Sequence, residues 1–146
     1  MTETRIIMCG SRTWHDGHTI ADEVMRLRER YGETLTIVHG DEPNGADEWI
    51  RRVCEDLSVR HEQYCASGKA PRHQAHARFT VFCVSSWDRD GLRAGPIRNT
   101  MMRDSGAIGI VAFRSEGESK GTDGMLRLCA AIPQIVYTPD GRLVNG

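Results

Sequence analysis

The stretch "RIIMCGSR", residues 5–12, reads as a buried β-strand that stops at a glycine. Its apolar side chains follow one another without alternation, as they do in a strand that is covered on both faces. Gly10 lets other groups approach the backbone, and Ser11 and Arg12 then offer a hydroxyl, an amide and a guanidinium. The segment predicts the first strand of a parallel sheet, followed either by an anion-binding turn or by an ordinary strand-to-helix turn.

Strand-like and helical runs alternate along the rest of the chain. The strand-like runs are 35–38, 59–64, 107–113 and 134–137, and the helical runs are 20–31, 46–57, 96–104 and 122–131. This alternation predicts an α/β fold, a doubly wound parallel sheet of about five strands with helices on both faces. Residues 66–86 are interpreted as an insertion, which forms an added strand at 79–86, a lid or an oligomer contact.

Capping residues predict where the helices begin and end. Asp16 or Thr19 is expected to cap the first helix, and Gly32 to end it. Pro96 suits the first position of the third helix, because a proline lacks the amide hydrogen that is unbonded there anyway. Thr122 is the expected cap of the last helix.

The bulk composition is that of a single globular domain spanning residues 1–146. No apolar run reaches the roughly 18 residues of a membrane span, and the N-terminus lacks the apolar core of a signal peptide. The five cysteines are scattered and odd in number, which favours reduced thiols in a cytoplasmic protein. A net charge of −1 gives no general attraction to nucleic acid.

One part of the chain is nevertheless basic. Between residues 66 and 103, seven basic residues outnumber two acidic ones, Asp88 and Asp90. These are Lys69, Arg72, Arg78, Arg89, Arg93, Arg98 and Arg103. The segment is either a solvated face or an anion site.

Glycines follow the predicted strands at the edge of the sheet where ligands usually bind. Gly10, Gly40 and the loop 117–121 each come after a strand, and parallel α/β sheets bind ligands beyond the carboxyl ends of their strands. This placement is the main sequence argument for a binding site.

The loop after the second strand offers several candidate contacts. The amides of Gly45, Ala46 and Asp47 stand at a predicted helix start, which favours an anion. Asp47 is equally suited to cap that helix. His39 is a candidate ligand contact or a structural histidine.

Two later helix starts carry further candidates. Arg98 and Asn99 fall in the first predicted turn of their helix, where a cation does not help helix stability and so points to an anionic ligand. Gly121 and Thr122 offer a free backbone and a hydroxyl, and Asp123 is the nearby carboxylate inside that helix. A plain capping motif would use the same residues.

No metal site and no cofactor are expected. His73 and His76 are three residues apart, but no third ligand of a suitable type is evident. The chain also lacks the glycine pattern of the usual NAD enzymes and the Walker motif of P-loop NTPases.

The ordered set of loops resembles the SLOG superfamily, a Rossmann-like group that includes the LONELY GUY phosphoribohydrolases and the Smf/DprA DNA-processing proteins. The resemblance is strongest to the small YspA-like branch and covers nearly the whole chain. The matching residues are "CGSR" (9–12), "HG" and "GAD" (39–40 and 45–47), "W" and "AGPIRN..M" (87 and 94–102), and "KGT" (120–122). The resemblance implies phosphate-binding glycine loops, a catalytic role for Arg98 and a methionine partner in Met102.

Two departures from the LONELY GUY pattern bear on catalysis. Its PGG-x-GT-x-x-E loop reads "SEGESKGTDGM" here, so the proline and double glycine are missing and Met125 stands where the pattern has the catalytic glutamate. Asp123 is the tentative substitute. The segment 66–86 is also longer than the connection typical of the branch.

The resemblance implies a protein that binds a nucleotide or a ribose phosphate derived from one, as a sensor or a sequestering module. The alternative is an N-glycosidase that releases a base from a nucleotide. DNA binding of the DprA kind carries less weight, because the chain is nearly neutral and poor in aromatic residues for stacking. A further alternative is an interaction subunit whose site is vestigial. A homodimer or higher homo-oligomer is expected.

Overall fold

In the described residues, seven strands form one sheet that runs through the middle of the molecule. The strands are β1 (Thr4–Gly10), β2 (Leu35–His39), β3 (Arg60–Cys65), β4 (Phe79–Cys83), β5 (Gly109–Phe113), β6 (Gln134–Thr138) and β7 (Gly141–Asn145). Their order is β4-β3-β2-β1-β5-β6-β7, and neighbours are parallel except β7, which pairs antiparallel with β6. The computed structural model describes residues 2–66, 73–84, 86–117 and 119–145. The predicted α/β fold with a doubly wound, Rossmann-like sheet is confirmed.

Helices cover both faces of this sheet. They are α1 (Gly17–Tyr31), α2 (Ala46–Asp56), α3 (Trp87–Asp90), α4 (Ala94–Arg103) and α5 (Lys120–Leu128). Ile6 and Met8 of β1 pack with α1 and α2, whereas Ile7 and Cys9 pack with α4 and α5. Because successive strand residues point to opposite faces, β1 contributes to both cores, which explains its unbroken apolar run. Within the described residues, the helices are too short or too polar to cross a membrane.

The strand order reverses at β1. The chain builds β2, β3 and β4 outward on one side of β1 and then crosses back to place β5 on the other side. The connections that follow β1 and β5 therefore diverge, and a crevice opens between them at the carboxyl ends of the strands.

The bounds of α1 agree with its capping signals. The Asp16 carboxylate accepts a hydrogen bond from the Thr19 amide at 3.1 Å, so Asp16 rather than Thr19 caps the helix. Gly32 ends it with a φ of +66°, a backbone conformation that favours glycine. The prediction for this helix is confirmed at both ends.

The sheet has two more strands than the roughly five that the pattern predicted. Residues 79–83 form β4 beside β3, so this part of the interpreted insertion is an added edge strand. Residues 67–72 and 85 lie outside the described residues. The strand β7 was missed because its short run follows β6 after a tight turn, and pairing with β6 rather than its own pattern holds it in place.

Helix α4 begins two residues earlier than predicted. Pro96 is its third residue, so Arg98 and Asn99 lie in the second turn and the prediction of a first-turn position was wrong. The 3₁₀ turn over 91–93 leads directly into the helix, and Arg93 already has helical backbone angles. The preceding turn, and not Pro96, therefore sets the start of this helix.

Helix α5 also begins earlier than its capping signal predicted. Its cap position is Ser119, so Thr122 is the third helical residue and does not cap. Thr122 is buried inside the packed helix, and the Asp123 amide bonds the Ser119 carbonyl at 2.9 Å. Thr122 therefore lies within the first turn of α5 and not at the cap position.

Candidate functional site

A cleft of about 440 Å³ opens at the carboxyl ends of the strands, where the strand order reverses. Its size lies within the range of small-molecule sites. The lining residues are Cys9, Gly10, Ser11, Arg12, Thr13, Gly40, Glu42, Asp47, Arg98, Asn99, Met102, Ser119, Lys120, Gly121, Thr122 and Met125. Nine of the twelve predicted ligand-binding residues are among them, and His39, Gly45 and Ala46 are not.

The loop after β1 forms one wall and is held by its own polar groups. The Ser11 amide donates to the Phe113 carbonyl at 2.9 Å. The Ser11 hydroxyl accepts from the Ser115 amide at 3.0 Å and lies 2.7 Å from the Ser119 hydroxyl. A Cβ at Gly10 would lie 2.4 Å from the Phe113 carbonyl oxygen. This wall is therefore rigid, and close packing on β5 is what requires glycine at position 10.

The start of α2 leans on the same loop. The Ala46 amide donates to the Ser11 carbonyl at 3.1 Å, so this predicted anion donor is already used within the protein. Gly45 has a φ of +77°, and a Cβ there would meet the backbone of Arg12 and Ser11 at 2.4 Å. Gly45 and Ala46 shape the cleft from behind instead of lining it.

Arg98 reaches the cleft from the second turn of α4. Its Nη1 donates to Asp41 Oδ1 at 3.2 Å, and its Nε donates to Asn99 Oδ1 at 3.1 Å. Within the described residues, its Nη2 has no hydrogen-bond partner. Gly40 allows this approach, because a Cβ there would lie 3.0 Å from Nη1 of Arg98. The guanidinium is thus fixed by two contacts while 19% of the side chain stays exposed.

Asp47 is a buried carboxylate in the same wall. Only 9% of the residue is exposed, and its Oδ2 accepts from the Glu42 amide at 3.2 Å. Burial raises the pKa of Asp47 to about 6, although the nearby Arg98 and this hydrogen bond act in the opposite direction. A carboxyl that titrates near neutral pH is able to hold or release a proton.

This shift predicts how stability depends on pH. The folded-state pKa of Asp47 lies above its ordinary value of 3.8, so the folded state binds this proton more tightly than the unfolded state does. The resulting contribution to the unfolding free energy is complete below pH 3.8 and is lost as pH rises through about 6. Between pH 4 and pH 7, wild type should lose on the order of 2–3 kcal/mol of unfolding free energy relative to Asp47→Asn. Urea unfolding of both proteins across this range measures it. A difference that stays constant with pH would contradict the buried carboxyl.

His39 lies behind the cleft instead of in it. It is fully buried, with Nδ1 2.9 Å from the Gly40 carbonyl oxygen and Nε2 2.9 Å from Nδ1 of His61. Burial lowers the pKa of His39 to about 4, which keeps the ring neutral. Its ring supports the Gly40 backbone, and the structural role of this histidine is the one that its contacts favour.

Asp123, the tentative catalytic carboxylate, does not line the cleft. Both of its oxygens pair with Arg114, at 2.7 Å from Nε and 3.0 Å from Nη2. This pairing lowers the pKa of Asp123. Met125 does line the cleft and is 2% exposed, so a thioether occupies the wall where the resembling pattern has its glutamate. The structure thus places Asp47 at the cleft and Asp123 outside it.

Sequence reasoning missed two charged residues of the cleft. Glu42 follows Gly40 by two positions, and Lys120 begins α5 directly before the predicted Gly121. Proximity to the glycines at the strand ends was the available signal. The cleft therefore presents the cations of Arg12, Arg98 and Lys120 next to two carboxylates.

The basic segment between residues 66 and 103 does not form one anion surface. Arg89 pairs with Asp90 at 2.9 Å, and Arg103 pairs with Asp104 at the same distance. Arg98 is the described cation of this segment that lines the cleft, whereas Lys69 and Arg72 lie outside the described residues. The interpretation as a mostly solvated face fits the remaining charges.

Comparison with known proteins adds two findings. The sequence profile of the YspA, cpYpsA-related SLOG family matches residues 4–69, which include β1, β2, α2 and β3. The chain is also 30% identical to the Gene 61 protein of Mycobacterium phage D29 over 135 residues, which are 91% of this chain and 95% of that protein. Because it covers 91% of the chain, the second match includes α4 and α5, which lie beyond the residues that the family profile matches.

Proposed function

Because the chain belongs to the YspA, cpYpsA-related SLOG family, we propose that it binds a nucleotide or a ribose phosphate derived from one in the cleft beside β1. The observation that carries the proposal is Arg98, which is held by Asp41 and Asn99 and still lines a cleft at the reversal of the strand order. Such crevices are where α/β sheets bind nucleotides. An arginine fixed in this way suits a phosphate.

The charges of the cleft match the two polar parts of a nucleotide. Arg98, Lys120 and Arg12 supply positive charge for phosphate oxygens, and Arg98 is the most buried of the three. The carboxylates of Asp47 and Glu42 are acceptors for ribose hydroxyls. A ligand that carries both kinds of group uses both charges, whereas inorganic phosphate alone would use only the cations.

The proposed role is that of a sensor or a sequestering module. Met125 cannot transfer a proton or stabilise a positive sugar carbon, and Asp123 is neutralised by Arg114. Retention of an intact nucleotide is therefore the favoured outcome. The predicted homo-oligomer, the absence of nucleic acid as a partner and the cytoplasmic location stay predictions.

A nucleotide panel tests this proposal. We expect the purified protein to retain one member of a mixture of nucleoside monophosphates, NAD, ADP-ribose and cyclic nucleotides after the unbound fraction is removed by filtration. Denaturing the protein and separating the released material by chromatography identifies that member. Retention of none of them would overturn the proposal and move attention to protein or nucleic-acid partners.

A second candidate function rests on Asp47. Its carboxyl lines the cleft with a pKa raised to about 6 by burial, which suits a general acid. In an N-glycosidase, the bond between the sugar carbon and the base nitrogen breaks, and the acid gives its proton to the base. Water then adds its oxygen to the sugar carbon, and the proton that it releases returns to the carboxylate. The same panel, followed over time with wild type and Asp47→Asn, separates the two roles. Free base from wild type alone would assign catalysis to Asp47, and intact nucleotide from both would leave the binding role.

A further inference from the structure

Three potential metal ligands meet next to β3, on residues that do not line the cleft. Glu55 lies in the last turn of α2, His61 lies in β3, and His76 precedes β4. One ligand atom from each lies within 4.8 Å of the other two. We propose that these residues form a binding site for a divalent transition metal, with Zn²⁺ as the ion that fits best.

The hydrogen bonds of two buried histidines leave one lone pair facing this site. The Gly40 carbonyl accepts from His39 Nδ1 at 2.9 Å, so His39 Nε2 carries the lone pair of that ring. His39 Nε2 must then accept from His61 Nδ1, which is also 2.9 Å away. His61 Nε2 is consequently without a proton, and this is the tautomer that binds a metal.

A cation would be stabilised in the environment of His61 Nε2. His61 is 1% exposed, and its Nε2 is buried without a hydrogen-bond partner in the described residues. It lies 3.3 Å from a Glu55 carboxylate oxygen, so two acceptors face each other. Neighbouring ligands of a tetrahedral zinc lie about 3.3 Å apart when each bond is about 2.0–2.1 Å. The observed separation therefore suits two ligands of one ion.

Backbone contacts hold the third ligand in register with the other two. The His61 amide donates to the Arg78 carbonyl at 2.8 Å, and the amides and carbonyls of His76 and Phe79 bond each other at 2.9 and 3.1 Å. The Phe79 ring stacks on the His61 ring with a centroid distance of 4.2 Å. The tight turn that carries His76 is thus fixed against β3 without a metal.

Glu55 and His76 already interact in this arrangement. The Nε2 of His76 lies 2.8 and 2.9 Å from the two Glu55 oxygens, while its Nδ1 accepts from the Arg78 amide at 3.2 Å. Metal binding requires the His76 proton to move from Nε2 to Nδ1, which ends the bond from Arg78. The proton shift also ends the hydrogen bond from His76 Nε2 to Glu55, and both groups then bind the ion instead of each other. Coordination thus replaces two hydrogen bonds, and His76 keeps its overall charge.

The donor set favours zinc over harder cations. Two imidazoles and one carboxylate suit Zn²⁺ and neighbouring transition metals, whereas Mg²⁺ and Ca²⁺ prefer oxygen ligands. Three protein ligands leave one position for water. The ion would join α2, β3 and the turn before β4, and through His61 and His39 it would support the Gly40 backbone of the cleft.

The sequence did not reveal this set, and the expectation of no metal site followed from that. The spacing of "HQAH" draws attention to His73 and His76, whereas the structure combines His76 with Glu55 and His61 from two other elements. The pairing of β3 with β4 places His76 beside His61, and the short connection from α2 to β3 places Glu55 there.

Zinc binding to the full chain tests the proposal without any nucleotide. Protein stripped with a chelator should take up one Zn²⁺ per chain in competition with a chromophoric chelator, and zinc should raise its Tm. Cobalt in place of zinc should give the visible absorption of a tetrahedral site. His76→Ala and Glu55→Gln, both at residues that are not fully buried, should weaken zinc binding about tenfold or more and abolish the Tm shift. The matched control is His18→Ala, an exposed histidine in α1, which should bind zinc as wild type does.

Two results would overturn the site. If wild type and His76→Ala bound zinc equally, the ion would lie elsewhere. If wild type took up no zinc under conditions where its fold is intact by circular dichroism, the cluster would be a hydrogen-bonded network that holds a proton. Nucleotide retention is measured in a separate experiment, so the failure of this inference and that of the proposed function are distinguishable.

Discussion

Replacing Arg98 by alanine should weaken binding of the nucleotide that the panel retains by about 1.5–3 kcal/mol, or roughly tenfold to a hundredfold. The guanidinium is held by Asp41 and Asn99, so little conformational freedom is lost when a phosphate binds. It is also mostly buried, so its interaction with an anion is less screened by solvent than that of exposed Arg12. Isothermal titration of wild type and variant with the same nucleotide measures the loss.

Two matched variants make this result specific. Arg103→Ala removes the same charge from the end of the same helix, where the side chain pairs with Asp104 outside the cleft, and should leave affinity unchanged. Arg98→Lys keeps the charge but lacks the planar fork, and should recover only part of the affinity. Equal losses of affinity in Arg98→Ala and Arg103→Ala would mean that the removed charge acts at long range and not through a contact with the ligand. Full affinity in Arg98→Ala would remove this residue from the site.

A thermal unfolding curve must accompany the titration. Arg98→Ala removes one donor from Asp41, a buried carboxylate that also accepts from the Ala66 amide at 3.2 Å. Some loss of stability is therefore expected, and only a protein that is folded at the temperature of the titration reports on binding.

The central part of the fold was predictable because β1 is covered on both faces. In a chain where strands and helices alternate, an uninterrupted apolar run as short as that of β1 indicates a strand in the middle of a parallel sheet. The first helix was equally predictable, since Asp16 and Gly32 act through local hydrogen bonds and backbone angles that need no tertiary contact.

The start of α4 could not be predicted in the same way. Pro96 has the character of a first helical residue, but the first four amides of any helix have no partner within it, so proline is tolerated at the third position as well. The helix starts directly after the 3₁₀ turn over 91–93. The position of that turn depends on tertiary packing, which a sequence pattern does not show. The edge strand β7 likewise depends on the neighbour with which it pairs, whereas β4 falls within the run 79–86 that the sequence offered as an added strand.

The position of the cleft was predictable, whereas the direction of its side chains was not. Parallel strands place their carboxyl ends at one edge, so glycines after β1 and β2 mark one site even though they are far apart in sequence. Whether a carboxylate enters the cleft depends on partners that a pattern does not show. Asp123 pairs with Arg114 outside the cleft, whereas Asp47 accepts a hydrogen bond from the Glu42 amide in the cleft wall. Ser11 was predicted to contact a ligand, but its amide and hydroxyl are both bonded within the protein.

Among alanine substitutions of the glycines that line or support the cleft, Gly45→Ala should cause the largest loss of stability. The backbone at Gly45 has a φ of +77°, which side chains rarely adopt, and the added Cβ would lie 2.4 Å from main-chain atoms of Arg12 and Ser11. These atoms belong to a loop that is tied to β5, so they cannot move aside without breaking the bond from the Ser11 amide to Phe113. We expect the unfolding free energy to fall by more than about 3 kcal/mol.

Gly32→Ala measures the backbone part of this loss without the clash, so the difference between the two variants gives the steric part. Gly32 has nearly the same backbone angles, with φ +66° and ψ −144° against +77° and −140° at Gly45, but nothing lies within 4 Å of its added Cβ. It should lose only the backbone term of about 1–3 kcal/mol. Gly121→Ala, in a helix and without close neighbours, should stay within about 0.5 kcal/mol of wild type. Urea unfolding of the three variants gives the order of their stabilities. Equal losses at positions 45 and 32 would mean that the loop after β1 shifts to accommodate the added methyl group. In that case the wall of the cleft is adaptable, and a ligand would have to be held by Arg98 and the opposite helices instead of by a preformed loop.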